Sequence, residues 1–196
     1  MTIHWVDEFL VPLHACQSGI DKARQYPDPQ SAWDNWDDGC ELLWTLGRRG
    51  AQDKQKLALC ACDIAERVLP LFEEEYPEDM RPRMAIEAAR RWAENPTEEN
   101  LNAAAAAAAD AADASDDVCI ARVAANAAAN AACHAADAAD DTDYADYATS
   151  RAAYYAVDAA AAAANAYHGN EVKAQADIVR KYFPISPFVR KENNQE

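Results

Sequence analysis

The densest chemistry in this sequence is a set of nine aspartates: Asp110, Asp113, Asp116, Asp117, Asp137, Asp140, Asp141, Asp143 and Asp146. With Asp158 they face only two arginines, Arg122 and Arg151, between Leu101 and His168. Many stand three or four residues apart, a spacing that stacks carboxylates about 5–6 Å from one another on a helical face. That is near the separation of successive phosphates along a nucleic-acid strand, so such rows suit the groove of a nucleic-acid-binding protein. Several also suit helix caps, chiefly Asp116, Asp117, Asp140 and Asp141. Caps with a solvated surface, and a partner-facing patch, both stand as readings. Like charges at i,i+4 cost roughly a few tenths of a kcal/mol per pair, which the helix propensity of the surrounding alanines offsets.

Other reactive groupings are weaker. His134 stands at helical-face spacing from Asp137 and Asp141. A helical di-metal site, however, needs a second ligand set on a facing helix, such as Glu-x-x-His, and none occurs. His14 with Cys16, and Cys133 with His134, are close in sequence, but neighbours on a helix diverge and make no nucleophile–base contact alone. Cys60-x-Cys62 is not a zinc spacing; on a helix the two thiols point about 200° apart and read as small core residues. There is no Gly-x-Ser-x-Gly, P-loop or dinucleotide fingerprint, so no enzyme and no cofactor are expected. Arg81, Arg83, Arg90 and Arg91 lie beside Glu73, Glu74, Glu75 and Glu78. A salt network between neighbouring helices is the expectation, a small phosphate patch the alternative. Trp33, Trp36 and Trp44 form an aromatic stripe that reads as packing before it reads as a ligand pocket.

The chain has 196 residues, a formal net charge of −16 and six cysteines. Such a charge excludes a general basic nucleic-acid-binding surface and favours a basic protein partner. The opening residues carry no basic start followed by an apolar run, and no stretch has the bulk of a membrane span, so a cytoplasmic protein with reduced thiols is expected. The hydrophobic fraction of 51% is inflated by alanine, and the core must come from Trp, Leu, Ile, Phe and Tyr outside the alanine tract.

The elements that carry these groups read as helices throughout. A short or broken helix covers Ile3 to Gln25, interrupted at Pro12. Ser31 caps a helix that runs through Trp33, Trp36 and Trp44 to Gly47. Asp53 or Gln52 starts another, kinked or ended at Pro70. A helix restarts over Asp79 to Pro82, and Thr97 caps the next, Glu98 to Ala114. A helix over Val118 to Ala139 follows, and after the cap cluster Asp140 to Asp143 another runs on to Tyr167. Asn170 caps a last one, Glu171 to Phe183, with Val172, Ala176, Val179 and Phe183 inward; Lys191 to Glu196 is a frayed tail. The expected fold is all-α, a compact multi-helix bundle or stack of antiparallel helices in a single domain over 1–196. Within it lie a Trp/Leu-rich half (1–96), an Ala/Asp-rich half (97–183) and a tail (184–196).

The stretch Cys60 to Ala93, CACDIAERVLPLFEEEYPEDMRPRMAIEAARRWA, resembles the Imm-5-like immunity proteins found beside bacterial polymorphic toxins. The resemblance rests on Ala65, Glu66, Val68, Leu69, Pro70, Phe72 and Glu73, then on Arg81, Pro82, Arg83, Ala85, Ile86, Glu87, Ala88, Ala89, Arg90 and Trp92. Leu42-Leu43-Trp44 with Gly47-Arg48, and the closing Ala-Asp-Ile-Val-Arg-Lys-Tyr-Phe-Pro, are also similar. It implies an all-α, non-enzymatic protein that binds and neutralises a toxin, and it carries over no catalytic residue. The expectation is therefore an acidic inhibitor of a toxin or nuclease, touching neither nucleic acid nor membrane itself. Two alternatives are a phage-encoded anti-CRISPR or antirestriction inhibitor acting as a nucleic-acid mimic, and a helical scaffold that forms homo-oligomers.

Overall fold

The computed structural model describes residues 3–48, 53–113 and 170–189. They form eight helices: α1 (Trp5–Phe9), α2 (Gln17–Ala23), α3 (Pro29–Asn35), α4 (Gly39–Arg48), α5 (Lys54–Glu75), α6 (Arg81–Glu94), α7 (Glu98–Asp113) and α8 (Glu171–Tyr182). No strand occurs among the described residues, so the fold is all-α. The helix expected over Val118 to Ala139, the one after the cap cluster Asp140 to Asp143 that runs on to Tyr167, and the tail Lys191 to Glu196 lie outside the described residues.

α5 is the centre. Asp53 caps it, its Oδ1 accepting the Lys56 N–H at 3.0 Å. Leu57, Cys60, Cys62, Ile64, Val68 and Phe72 are all buried along it. Cys60 and Cys62 point to opposite sides of a helix, so their joint burial requires neighbours on both flanks. α6 packs on one flank, where the Cys62 thiol reaches the Ile86 carbonyl at 3.7 Å, and α8 also packs against α5. Pro70 does not end α5, which runs on to Glu75. Pro70 and Glu66 are both exposed, so water can take the Glu66 carbonyl that proline leaves unbonded.

α6 begins with Pro82 in its first turn, where the missing N–H is no loss. It buries Ala85, Ile86, Ala88, Ala89, Trp92 and Ala93. Partners on α5 fall from Glu73 to Glu66 and Asp63 as α6 rises from Arg83 to Arg90, so the two helices are antiparallel. α7 follows, with Thr97 Oγ1 accepting the Asn100 N–H at 3.2 Å. It lays a stripe of Ala104, Ala108 and Ala111 against α6. Those residues offer only methyl groups, so α7 gains less from burial than α5 or α6.

The amino-terminal part departs from the sequence expectation in two places. Ser31 is not the cap of α3: Asp28 is, its Oδ1 accepting the Ser31 N–H at 2.8 Å, with Pro29 opening the helix. The expected single helix through the tryptophans is two helices. Trp36 is extended, with φ −82° and ψ 121°, and Asp38 restarts the chain by accepting the Glu41 N–H at 3.1 Å. Gly39 explains the tight restart, because a Cβ there would lie 2.8 Å from Gln175 Cβ on α8. Only glycine lets α4 come this close.

α8 joins the two parts. Arg67 of α5 grips buried Glu171 with two parallel hydrogen bonds, Nη2 to Oε2 at 2.8 Å. On its other side, Arg180 Nη1 donates to the Trp33 and Trp36 carbonyls at 3.2 and 2.6 Å, closing the end of α3. The chain beyond α8 continues the clamp: Trp33 Nε1 donates to the Phe183 carbonyl at 2.8 Å, and Ser186 N–H donates to Gln30 Oε1 at 2.9 Å. Phe188 then stacks on Phe9 with ring centroids 5.5 Å apart. Val172, expected inward, is half-buried; Glu171 and Gln175 take the buried positions with Ala176 and Val179. Asn170 precedes α8 but makes no side-chain capping bond.

Candidate functional site

Of the nine aspartates, Asp110 is exposed on α7 and Asp113 is the last described residue of that helix. Asp116, Asp117, Asp137, Asp140, Asp141, Asp143 and Asp146 lie outside the described residues. The outward side of α7 presents Glu98, Glu99, Asn102 and Asp110, all exposed, with small alanines between them. Glu98 and Glu99 sit in the first turn, where the helix dipole favours acids. Asp110 lies well beyond that turn and is exposed, so N-terminal capping does not account for it.

Three of the four clustered arginines, Arg81, Arg83 and Arg90, are paired internally. Arg83 forks onto Glu73 with bonds of 2.6 and 2.7 Å, and Arg81 onto Asp79 with its shortest at 2.6 Å. Arg90 donates to Asp63 at 2.6 Å and to Glu66 at 3.0 Å. Asp63 also accepts from Lys181 at 2.7 Å and from the Tyr182 hydroxyl at 2.8 Å, so one carboxylate ties α5 to both α6 and α8. Burial alone would raise its pKa, but the bonds from Lys181, Arg90 and Tyr182 outweigh that and hold it below the ordinary 3.8. Burial would likewise lower Arg90, yet Glu66 and Asp63 hold its guanidinium above the ordinary value. The salt network expected between neighbouring helices is present. Its central acid, Asp63, was not among the anticipated partners, because no local spacing links it to residues 118 positions away.

The remaining candidates carry no assembled chemistry. Cys16, Cys60 and Cys62 are free thiols among the described residues. Burial pushes the Cys62 thiol up to about 12 and Cys60 higher still, so neither supplies a thiolate. Exposed His14 has φ 56°, and Cys16 Sγ instead contacts Ser18 Oγ at 3.3 Å. Cys133, His134 and their neighbouring aspartates lie outside the described residues. Among the described residues no cluster of His, Cys, Asp and Glu can hold a metal, and no helix is long and apolar enough to cross a membrane. The tryptophan stripe is both packing and pocket. Trp33 and Trp36 are buried, and with Trp5 and Trp44 they line a cavity of about 650 Å³.

No curated protein and no solved structure matches the chain. A family match covers residues 48–181, more than half of the chain and the whole of α5 through α8 short of its last residue. It takes in the Asp63 hub and the outward acids of α7 alike. With that span matched on an all-α architecture, the chain belongs to the family described as Imm-5 like putative immunity protein.

Proposed function

We propose that this protein is a non-enzymatic immunity protein that neutralises a toxin or nuclease in the cytoplasm by binding it through an acidic surface. Membership of an immunity family supports the class of function. The observation that carries the mode of binding is Asp110. It is exposed on the outward side of α7, beyond the first turn where the dipole favours Glu98 and Glu99, and the inner side of that helix is packing. An acid that neither the first turn nor the core requires is accounted for by what it meets. The net charge of −16 acts in the same direction, drawing in a basic partner and making association salt-dependent. The aspartates from Asp113 to Asp146 extend that surface in this reading.

Growth rescue tests it. The protein is co-expressed with the product of the gene adjacent to its own. Rescue by the wild type, and its loss when Asp110, Asp137, Asp140, Asp141 and Asp143 are replaced by Asn with helicity unchanged, is the expected result. Full rescue by that variant would refute an acidic binding surface.

A further inference from the structure

The cavity beneath the tryptophans has a chemistry of its own. It opens among α1 to α4 and the segment after α8, and its volume of about 650 Å³ falls in the range of small-molecule sites. Three of its four indoles have spent their N–H groups inside the protein. Trp5 donates to the Tyr26 carbonyl at 3.1 Å, Trp33 to Phe183, and Trp36 to Glu41 Oε2 at 2.6 Å. They therefore offer a ligand π surface rather than donors. The charged lining groups are the carboxylates of Asp38 and Glu41, with no lysine or arginine in the wall. Exposed His14 completes the polar part of the lining.

A second observation shows what such a corner holds. Lys22 places its ammonium 4.2 Å from the centroid of the Trp36 ring and 3.8 Å from Glu41 Oε2. Its pairing is long and its side chain 40% exposed, so the contact is loose and displaceable. Lys22 is not part of the cavity wall, so the chain sets this ammonium against Trp36 and Glu41 from outside it, as expected where an indole face and a carboxylate meet.

We infer that this cavity is a binding site for a small organic amine, with its apolar body among the tryptophans and its ammonium at Glu41 and Trp36. Among the lining residues only Val172 falls within residues 48–181, so the site lies almost wholly outside the matched family region. Its fate is independent of whether the acidic face binds a toxin.

Calorimetric titration of the full chain at about pH 8, where a primary amine is still ammonium, tests the inference. The probes are 2-phenylethylammonium chloride and its neutral counterpart, 2-phenylethanol. The amine binds at least about tenfold more tightly than the alcohol if the corner reads charge. Glu41→Gln keeps an oxygen acceptor for Trp36 Nε1, so the fold stands while most of that preference is lost. Lys22→Met removes the internal competitor and tightens amine binding. Equal affinities for amine and alcohol, binding of neither, or an amine preference untouched by Glu41→Gln overturns the site. Should Glu41→Gln fail to fold, the wild-type preference and its rise in Lys22→Met decide alone.

Discussion

The two flanks of α8 are held by different kinds of bond. Towards α5 the contacts are between charged side chains: Arg67 with Glu171, and Lys181 with Asp63. Towards α1 to α4 the short bonds end on backbone carbonyls, with aromatic rings behind them: Arg180 to Trp33 and Trp36, Trp33 to Phe183, Gln30 to Pro184, Phe9 on Phe188. The first flank lies in the matched family region and answers to pH and salt; the second lies mostly outside it and answers to packing. One twelve-residue helix carries both. It fixes a charge-paired body bearing the acidic face of α7 to an aromatic body bearing the cavity.

Breaking the aromatic flank has the largest effect. Trp33→Ala removes a side chain 3% exposed together with its bond to Phe183, and urea unfolding reports a loss of about 4 kcal/mol. Gly39→Ala forces a Cβ into Gln175 and costs about 1–3 kcal/mol, measured the same way.

The charged flank breaks more gently and with a signature the aromatic one lacks. Asp63→Asn costs about 1–2 kcal/mol at neutral pH, since its partners remain partly solvated. The Asp63 pKa is depressed below 3.8 in the folded chain. Its contribution is therefore complete above that value and lost as pH falls through the lower folded one. Stability measured from about pH 6 to pH 2 falls more steeply for the wild type than for Asp63→Asn, while Trp33→Ala keeps the wild-type slope. Alkylation sharpens the picture of α5 between its two neighbours. Exposed Cys16 is modified in the native protein, and Cys60 and Cys62 only after denaturant is added, as mass spectrometry would resolve.

The charge-paired body was largely legible in the sequence, and the aromatic body less so, for physical reasons. Asp53, Pro82 and Thr97 announce the starts of α5, α6 and α7, because caps and first-turn prolines act over three or four residues. The break between α3 and α4 was hidden, because Trp33, Trp36, Cys40 and Trp44 keep helical spacing straight across it. Hydrophobic period is blind to one extended residue, and Gly39 owes its place to α8, far along the chain. Asp28 and Ser31 compete as caps; Pro29, well suited to open a helix, accompanies the choice of Asp28. Buried Glu171 reads as a surface acid until Arg67 is known to cover it across 104 positions. Of the acidic set, the sequence identified Asp110 as a candidate; its exposure on the outward side of α7 came from the fold.

The smallest predicted effect on stability belongs to the most consequential residue. Asp110→Asn, on the exposed side of α7, changes stability by no more than about 0.5 kcal/mol, read from thermal unfolding. The decisive measurement is the affinity of wild type and the triple variant Glu98→Gln, Glu99→Gln, Asp110→Asn for the product of the adjacent gene, at about 0.05 and 0.5 M salt. The predicted result is wild-type binding that weakens steeply with salt, and variant binding that is weaker at low salt and nearly salt-independent. Equal affinities with equal salt dependence would contradict an acidic face on α7 as the surface that meets the partner.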